Sequence, residues 1–274
     1  MQSLFFLFNI YMKNILIITT FLFSVNIFSQ NVTIEYNVTI NTNEAVLSTS
    51  MNYTYNLNKS ISNFYNNFND SISQFKYKNI IDEVREVGDI KLVTLTDNRY
   101  GYIKKDFFYK DYEKDTLIFN EIISVNKQFV GEKINLFNWE IMPKSDTIVL
   151  GFKCQKATTK FRGRMYEAIF SNEIAPYGGP WKFDGLPGII ISIRSIDNYF
   201  VIIPLKIKIN DSSIKTYNPY ENKTILSYNE FREKFINHLK DQLKKLKARS
   251  DIGETGSIKV TERIEDLELP EMKF

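Results

Sequence analysis

Strict two-residue alternation near the beginning of the chain is the feature that most restricts its fold. Across residues 32–40, the apolar positions are separated by Thr, Glu and Asn, and they are Val32, Ile34, Tyr36, Val38 and Ile40. Because successive side chains of a strand point to opposite faces, this spacing predicts a β-strand with one buried face. Residues 47–57 repeat the alternation and predict a second strand.

Further strand-like runs continue through most of the chain. They combine alternation with β-branched and aromatic residues, and they cover residues 90–95, 100–109, 116–125, 147–160, 165–171, 189–195 and 199–209. Turn-forming pairs such as Asn126-Lys127, Arg162-Gly163 and Asp197-Asn198 separate most of them. Short turns join antiparallel neighbours, whereas parallel strands need longer crossovers. We therefore predict a curved, mostly antiparallel sheet, with the Asn- and Ser-rich residues 58–74 as a loop.

One helix is predicted near the C-terminus, over residues 227–248. Ser227 and Glu230 have the spacing of a capping box, in which two side chains satisfy free amides at the helix start. Apolar residues then recur at intervals of three and four, at Phe231, Phe235, Ile236, Leu239, Leu243 and Leu246. Such a stripe packs against another element. The basic opposite side is interpreted as a solvated face, with a membrane-surface helix as the alternative. The predicted fold class is α+β, an antiparallel sheet with this amphipathic helix on one face.

The first 29 residues have the composition of a cleavable signal peptide. Lys13 is their only charged residue, and residues 15–27 are almost wholly apolar. A charged start, a short apolar run and a small residue such as Ser29 before the cut are the parts of a secretory signal. The run is too short for a membrane-spanning helix. We expect residues 1–29 to be removed, from a Met1 or a Met12 start, and residues 30–274 to form one β-rich domain in the periplasm, at the outer membrane or outside the cell.

Few residues are suited to catalysis or to metal binding. His238 is the only histidine, which excludes a histidine-rich zinc site. Cys154 is the only cysteine, so no internal disulfide can form, and it is expected to be buried and inert. Four acidic residues near the C-terminus are interpreted as solvated charges: Glu262, Glu265, Asp266 and Glu268. We predict no catalytic residue, no metal and no cofactor, and the net charge of +3 predicts no strong attraction to nucleic acid.

A segment rich in glycine and proline carries the best candidates for binding. Residues 177–188 contain four glycines and two prolines, and Pro187-Gly188 suits a type II turn in which the glycine adopts a positive φ. The segment either seats its aromatic side chains in the core or lines the mouth of a ligand site. The basic turn at residues 162–163 is either a soluble hairpin tip or a site for a phosphate or carboxylate group. The candidate ligand-binding residues are Trp181, Lys182, Phe183, Arg162 and Arg164.

The same segment carries a resemblance to a known family. Its end looks like the signature of the GLPGLI family, exported proteins of Bacteroidetes, and consists of Gly185, Leu186, Pro187, Gly188, Ile189 and Ile190. The motifs Cys154-Gln155-Lys156-Ala157 and Gly179-Pro180-Trp181-Lys182-Phe183 also occur in the order of the family. Ile189 stands where the family has leucine, and Ile169 where tryptophan is usual. The family has no established activity to transfer, so the resemblance implies export, an envelope or extracellular setting and a β-rich fold.

These observations favour two functional hypotheses. The first is a non-catalytic envelope protein that binds or carries a lipid or another hydrophobic ligand, in a cavity with Trp181 or Lys182 at its rim. The alternative is an envelope assembly component that docks a protein partner through the basic hairpin tip or a sheet edge. It predicts a filled core and an exposed apolar patch. Neither hypothesis includes a nucleic-acid partner or a transmembrane segment after the leader is removed.

Overall fold

The structure is a computed structural model that describes twelve parts of the 274-residue chain. They are residues 31–41, 48–66, 81–87, 90–96, 106–124, 126–143, 146–175, 177–247, 257–258, 260–261, 264–268 and 272–273. The expected signal peptide lies outside the described residues, and so do residues 67–74 of the predicted loop.

The described residues form strands and one long helix. In chain order the strands are β1 (Val32–Asn41), β2 (Ser48–Asn58), β3 (Ile61–Asn66), β4 (Ile81–Val87), β5 (Ile90–Thr96), β6 (Phe107–Asp111), β7 (Thr116–Ile123), β8 (Asn126–Glu132), β9 (Glu140–Ile141), β10 (Thr147–Val149), β11 (Phe152–Phe161), β12 (Arg164–Ser171), β13 (Ile189–Ser195), β14 (Phe200–Ile209), β15 (Ile225–Ser227), β16 (Ser257–Ile258), β17 (Val260–Thr261) and β18 (Met272–Lys273). The helix, α1, covers Tyr228–Lys247.

Thirteen strands form one open sheet, in the order β10-β11-β12-β13-β14-β1-β2-β3-β6-β7-β8-β15, with β9 beside β10 on the edge of β11. Every pairing in it is antiparallel except that of β15 with β8. The central strand β1 pairs with β2 and with β14, which is far away in sequence. One small sheet consists of β4, β5 and β17, and a second consists of β16 and β18. The predicted α+β class is confirmed.

Most of the predicted strands are confirmed, and three differences are informative. The run at residues 147–160 is two strands, because Leu150 and Gly151 adopt φ values of 49° and 89° and form a turn between them. The pattern predicts only a turn at residues 126–127, but these residues begin the strand β8. Part of the predicted loop, Ile61–Asn66, is the strand β3 in the middle of the sheet. The buried side chain of Asn63 is satisfied there by hydrogen bonds to a distant part of the chain.

The two faces of the sheet have separate cores. Alternating side chains of β1, β2, β6 and β7 build the main core on what we call the inner face, which also receives residues 177–188 and α1. The opposite, outer face of β6 and β7 has a smaller core, in which Phe107, Tyr109 and Ile118 pack against Tyr220. Tyr220 belongs to residues 210–224, the connection from β14 to β15, which we call the strap. The strap therefore covers the outer face at one end of the sheet.

Asn63 of β3 attaches the strap to the sheet. Its buried side-chain amide donates to the carbonyl of Tyr217 at 3.0 Å, and the Tyr217 amide donates back to Asn63 Oδ1 at 2.9 Å. The side chain thus pairs with a strap residue in the way that a neighbouring strand would. A polar residue in the centre of the sheet is stable here because both of its hydrogen-bonding groups are used.

The helix begins and packs as its sequence predicts. The Ser227 amide donates to Glu230 Oε2 at 2.7 Å, and the Glu230 amide donates to Ser227 Oγ at 3.3 Å, which is the predicted capping box. Phe231, Phe235 and Leu239 are buried in the main core. The predicted burial of Leu243 and Leu246 lies outside what the structure describes. Across the described residues, no helix is both long enough and apolar enough to span a membrane.

We predict that Asn63→Ala destabilises the fold by about 1–3 kcal/mol, because a buried side chain loses its two hydrogen bonds to the strap. Urea unfolding measures this difference. The control is Asn52→Ala, on the exposed surface of β2, which should change the free energy of unfolding by less than about 0.5 kcal/mol. Equal losses in the two variants would contradict the role given to Asn63.

Candidate functional site

Residues 177–188 lie on the inner face of the sheet, between β12 and β13 in sequence. Trp181 and Phe183 are buried there, with ring centroids 4.9 Å apart. The Trp181 ring also lies edge-on to Phe200 of β14 at 5.4 Å, and the Phe183 ring lies edge-on to Tyr166 of β12 at 5.0 Å. Edge-on aromatic pairs stabilise beyond the area that they bury. The middle of the segment therefore contributes two aromatic side chains to the core.

Glycine is needed at the end of this segment for a reason other than the predicted one. Gly188 does not adopt a positive φ, so the predicted type II turn is wrong. Its amide instead donates to the carbonyl of Leu186 at 2.8 Å and closes a three-residue turn on Pro187. A Cβ atom at Gly188 would overlap the backbone of Ser171, which passes very close. Within residues 185–188, the positive φ occurs at Gly185, at 90°.

A buried lysine of β6 anchors the segment to the sheet. Lys110 is 1% exposed, and its ammonium group donates to the carbonyls of Gly179 at 3.0 Å and Phe183 at 2.6 Å. Its third contact is an ion pair with Asp184 Oδ2 at 2.8 Å. All three donors of the ammonium group are thus used, which is the condition for a stable buried charge. Burial lowers the pKa of Lys110, and the charge of Asp184 opposes that shift.

Asp184 is the acceptor at the centre of this anchor. The Tyr112 hydroxyl donates to Oδ2 at 2.8 Å, and the Gly185 amide donates to Oδ1 at 2.9 Å. The backbone carbonyl of Asp184 accepts the indole N–H of Trp139 at 2.7 Å. We call Lys110, Tyr112 and Asp184 the anchor cluster. It explains why Asp184 directly precedes the Gly-Leu-Pro-Gly sequence in this chain.

A second buried polar group contains two cations and two carboxylates. Arg162, in the turn between β11 and β12, donates to Glu132 of β8 and to Glu265 Oε2, the latter at 2.7 Å. Lys182 is 1% exposed and lies 2.5 Å from Glu265 Oε1 and 3.6 Å from Glu132 Oε2. We call these four residues the charge quartet. Their formal charges sum to zero, so the group can be buried without a net charge.

Aromatic rings enclose the charge quartet. The guanidinium carbon of Arg162 lies 3.5 Å from the centroid of the Tyr228 ring, and Lys182 Nζ lies 3.8 Å from that of Phe119. Burial on its own would raise the pKa of Glu265, but the nearby charges of Lys182 and Arg162 outweigh it, so that the pKa lies below its ordinary value. Glu265 is therefore ionised at neutral pH.

The structure brings together four of the five predicted binding residues. Trp181, Lys182 and Phe183 are buried in the main core, and Arg162 meets Lys182 through the charge quartet. Arg164 is separate: it pairs with Asp197 and lies over the ring of Tyr199 at 4.2 Å. The basic turn thus holds charges that carboxylates already neutralise.

The sequence pattern does not reveal the carboxylates of the two clusters. The interpretation of Glu265 as a solvated charge is wrong, since this residue is only 7% exposed. The sequence gives little indication of this burial, because nothing in the local pattern distinguishes Glu265 from the acidic residues around it. Cys154 is buried, and burial raises the pKa of its thiol. Within the described parts of the chain, no group of three or more His, Cys, Asp or Glu side chains could hold a metal ion.

Exposed apolar side chains collect at one edge of the large sheet. The short strands β9 and β10 both pair with β11 and end the sheet on that side. Ile148 of β10 is 71% exposed, and Leu150 in the turn after it is 50% exposed. Ile141 and Met142, at the end of β9, are also exposed. This edge, which we call the β9–β10 edge, presents large apolar side chains that the fold itself does not bury.

Comparison with known proteins gives no family and no named relative. No protein-family model matches the sequence, and no curated protein sequence matches it. Among solved structures, two of PNGF-II in different space groups are similar to this chain, at 13% and 12% identity and TM-scores of 0.48 and 0.47. Each similarity covers 77% of this chain, but only 34% and 33% of the PNGF-II chain. This chain therefore spans about a third of the length of the PNGF-II chain.

We predict that Lys110→Met destabilises the protein by about 3–5 kcal/mol, because it leaves the Asp184 carboxylate buried without its cation. Chemical unfolding monitored by tryptophan fluorescence measures the loss. Lys114→Met is the matched control, since Lys114 pairs with Asp111 at 3.0 Å but its side chain is 76% exposed. That variant should change the stability little, because solvent screens an exposed ion pair. A similar cost for both would show that burial of the ion pair is unimportant.

The stabilisation from Glu265 should depend on pH. A carboxyl whose pKa is lowered on folding stabilises the protein above its unfolded pKa, and the stabilisation is lost as the pH falls through the folded pKa. Glu265→Gln should therefore cost about 3–5 kcal/mol at pH 7, and its difference from the wild type should narrow as the pH falls below 4.5. Unfolding curves between pH 7 and pH 3 measure this. The exposed neighbour Glu268, changed to Gln, is the control and should reduce the stability at pH 7 much less than Glu265→Gln does. A difference between Glu265→Gln and the wild type that stays constant over this pH range would contradict the assignment.

Proposed function

We propose that this chain is an exported, non-catalytic interaction protein of the bacterial cell envelope, which docks a protein partner at the β9–β10 edge. The observation that carries the proposal is the exposure of large apolar side chains at an open sheet edge. Monomeric proteins rarely leave several such residues exposed together, and where they do the patch often marks an interaction site. At the other end of the sheet, the last strand, β15, continues directly into α1.

The backbone at this edge supports docking by strand addition. Among the described residues, β9 and β10 pair with β11 on one side and with no strand on the other. Free amides and carbonyls on such an edge can pair with an extended segment of another chain, while exposed side chains select the partner. Both strands are short, which limits uncontrolled edge-to-edge aggregation. A specific partner would therefore gain most of its binding from Ile148, Leu150 and Ile141.

The contents of the core favour docking over the carriage of a lipid. The carrier hypothesis places Trp181 or Lys182 at the rim of an apolar cavity, open to an incoming ligand. Both side chains are instead engaged in the core, Trp181 with aromatic rings and Lys182 with Glu265. Opening a route past them would separate a buried ion pair and break aromatic contacts, at a cost of several kcal/mol.

The envelope setting is proposed from the sequence. Residues 1–29 have the composition of a secretory signal, and residues 185–190 resemble the signature of the exported GLPGLI family. The buried, unpaired Cys154 is compatible with an oxidising compartment, because a thiol that is shielded from solvent does not react with others.

Purification of the native protein from envelopes of the organism that makes it tests the proposal. We expect the wild type to begin at Gln30 by intact mass and to retain a stoichiometric protein partner after mild crosslinking. Ile148→Lys together with Leu150→Lys should abolish this retention, because a charge at the centre of the contact must be desolvated. The matched control is Ile203→Lys, on the exposed side of β14, which should keep the partner.

Three results would contradict the proposal. An uncleaved leader would remove the exported setting. Loss of the partner in the Ile203→Lys control as well would show that the β9–β10 edge is not the contact. A stoichiometric bound lipid in place of a protein would favour the carrier hypothesis.

A further inference from the structure

Residues 264–268 lie in a groove between the turn of the β11–β12 hairpin and α1. The sequence of this segment is Ile264-Glu265-Asp266-Leu267-Glu268, and it makes no strand of either small sheet. Its second and fourth side chains are buried, whereas the third and fifth are exposed. The backbone bends at residues 264–265 and Glu268 has a φ of 49°, so the segment is irregular. Its conformation nevertheless places Glu265 and Leu267 on the side that faces the groove.

The groove holds the segment through hydrogen bonds to the backbone groups of the segment. The Asp266 amide donates to the carbonyl of Arg162 at 2.8 Å. The Tyr166 hydroxyl donates to the carbonyl of Ile264 at 3.2 Å. On the helix side, Arg232 donates through Nε to the carbonyl of Leu267 at 2.5 Å. Its Nη2 atom donates to the carbonyl of Glu268. These contacts hold the backbone of the segment and do not depend on the identity of its side chains.

Two side chains of the segment add selectivity. Glu265 enters the charge quartet, between Arg162 and Lys182, and Leu267 is buried in the main core. The groove also has space for Asp266, the residue between them. A Cβ atom on Gly163 would lie only 2.7 Å from the Cβ atom of Asp266, so the segment crosses the hairpin where that turn has no side chain.

The charges of the groove require an acidic occupant. Without Glu265, the quartet would consist of Arg162 and Lys182 with the single carboxylate of Glu132. Lys182 is almost completely buried, and its distance to Glu132 is 3.6 Å, compared with 2.5 Å to Glu265. An empty groove therefore leaves an excess positive charge in an aromatic, poorly solvated site, which strongly favours binding of a carboxylate.

We propose that this groove is a binding site for acidic peptides with the pattern Glu-x-Leu, and that residues 264–268 of the chain itself occupy it. The bound segment is an autoinhibitory occupant, since a partner peptide must displace it. A tethered segment has an effective concentration of the order of millimolar, so a free peptide competes only when the tethered one is weakened or when the partner binds more tightly. The proposal concerns a different surface from the β9–β10 edge and does not depend on docking there.

The full chain carrying Glu265→Gln tests the proposal, with the labelled peptide Arg-Ile-Glu-Asp-Leu-Glu-Leu-Pro, which copies residues 263–270. Because residues 264–268 of this variant lack the Glu265 carboxylate, the peptide should be able to enter the groove. Measured by fluorescence polarisation, the peptide should bind the variant at least about tenfold more tightly than it binds the wild type. The peptide should also raise the melting temperature of the variant, because a ligand of the folded state stabilises it. A control peptide with Gln for its first Glu and Ala for its first Leu should do neither.

A second measurement uses the wild-type chain and does not depend on the folding of a variant. Millimolar peptide should speed hydrogen exchange at the Asp266 amide, which loses its bond to Arg162 when the segment is displaced, and the control peptide should not. A dimer that exchanges this segment between two copies would support the groove, with a second copy as the source of the peptide. Binding that is equal for both peptides, or no binding together with unchanged exchange, would overturn the proposal. Ile148→Lys should leave peptide binding unchanged, so failure here is distinguishable from failure of edge docking.

Discussion

Lys110 places an ammonium group inside the core of a β-sheet, and the way its charge is satisfied determines much of the remaining structure. Each of its three donors has an acceptor in residues 177–188, at Gly179, Phe183 and Asp184. Because an unpaired buried charge costs several kcal/mol, these acceptors are held at defined positions relative to β6. A segment without regular secondary structure thereby becomes a rigid part of the core.

The same attachment positions the second cluster of charges. Lys182 lies between the residues that Lys110 anchors, so its side chain is directed toward β8 and Arg162. There it contacts Glu265, which lies near the C-terminal end of the sequence. Elements that are distant in sequence thus meet at one neutral group of charges. Buried polar groups of this kind favour one arrangement over others, because any alternative packing leaves a charge without its partner.

Local patterns predict the elements whose stability depends on near neighbours. The alternation of β1, the Arg162-Gly163 turn and the capping box of Ser227 are all present, since each depends on residues a few positions apart. The strand β3 escapes such patterns because Asn63 is stable in a sheet only through the strap, 154 residues away. The burial of Glu265 escapes them for the same reason, as its partners come from residues 162 and 182.

The sequence alone determined the β-rich class, the position of the helix and the presence of a rigid glycine- and proline-rich segment, because periodicity and backbone restriction are local properties. Only the tertiary structure decided that Lys182 is buried and that residues 264–268 lie against the hairpin turn. It also decided that Gly188 is needed for a close backbone contact and not for a positive φ. The physical reason is that burial of a charge, and close approach of two backbones, depend on what another part of the chain brings to the same place.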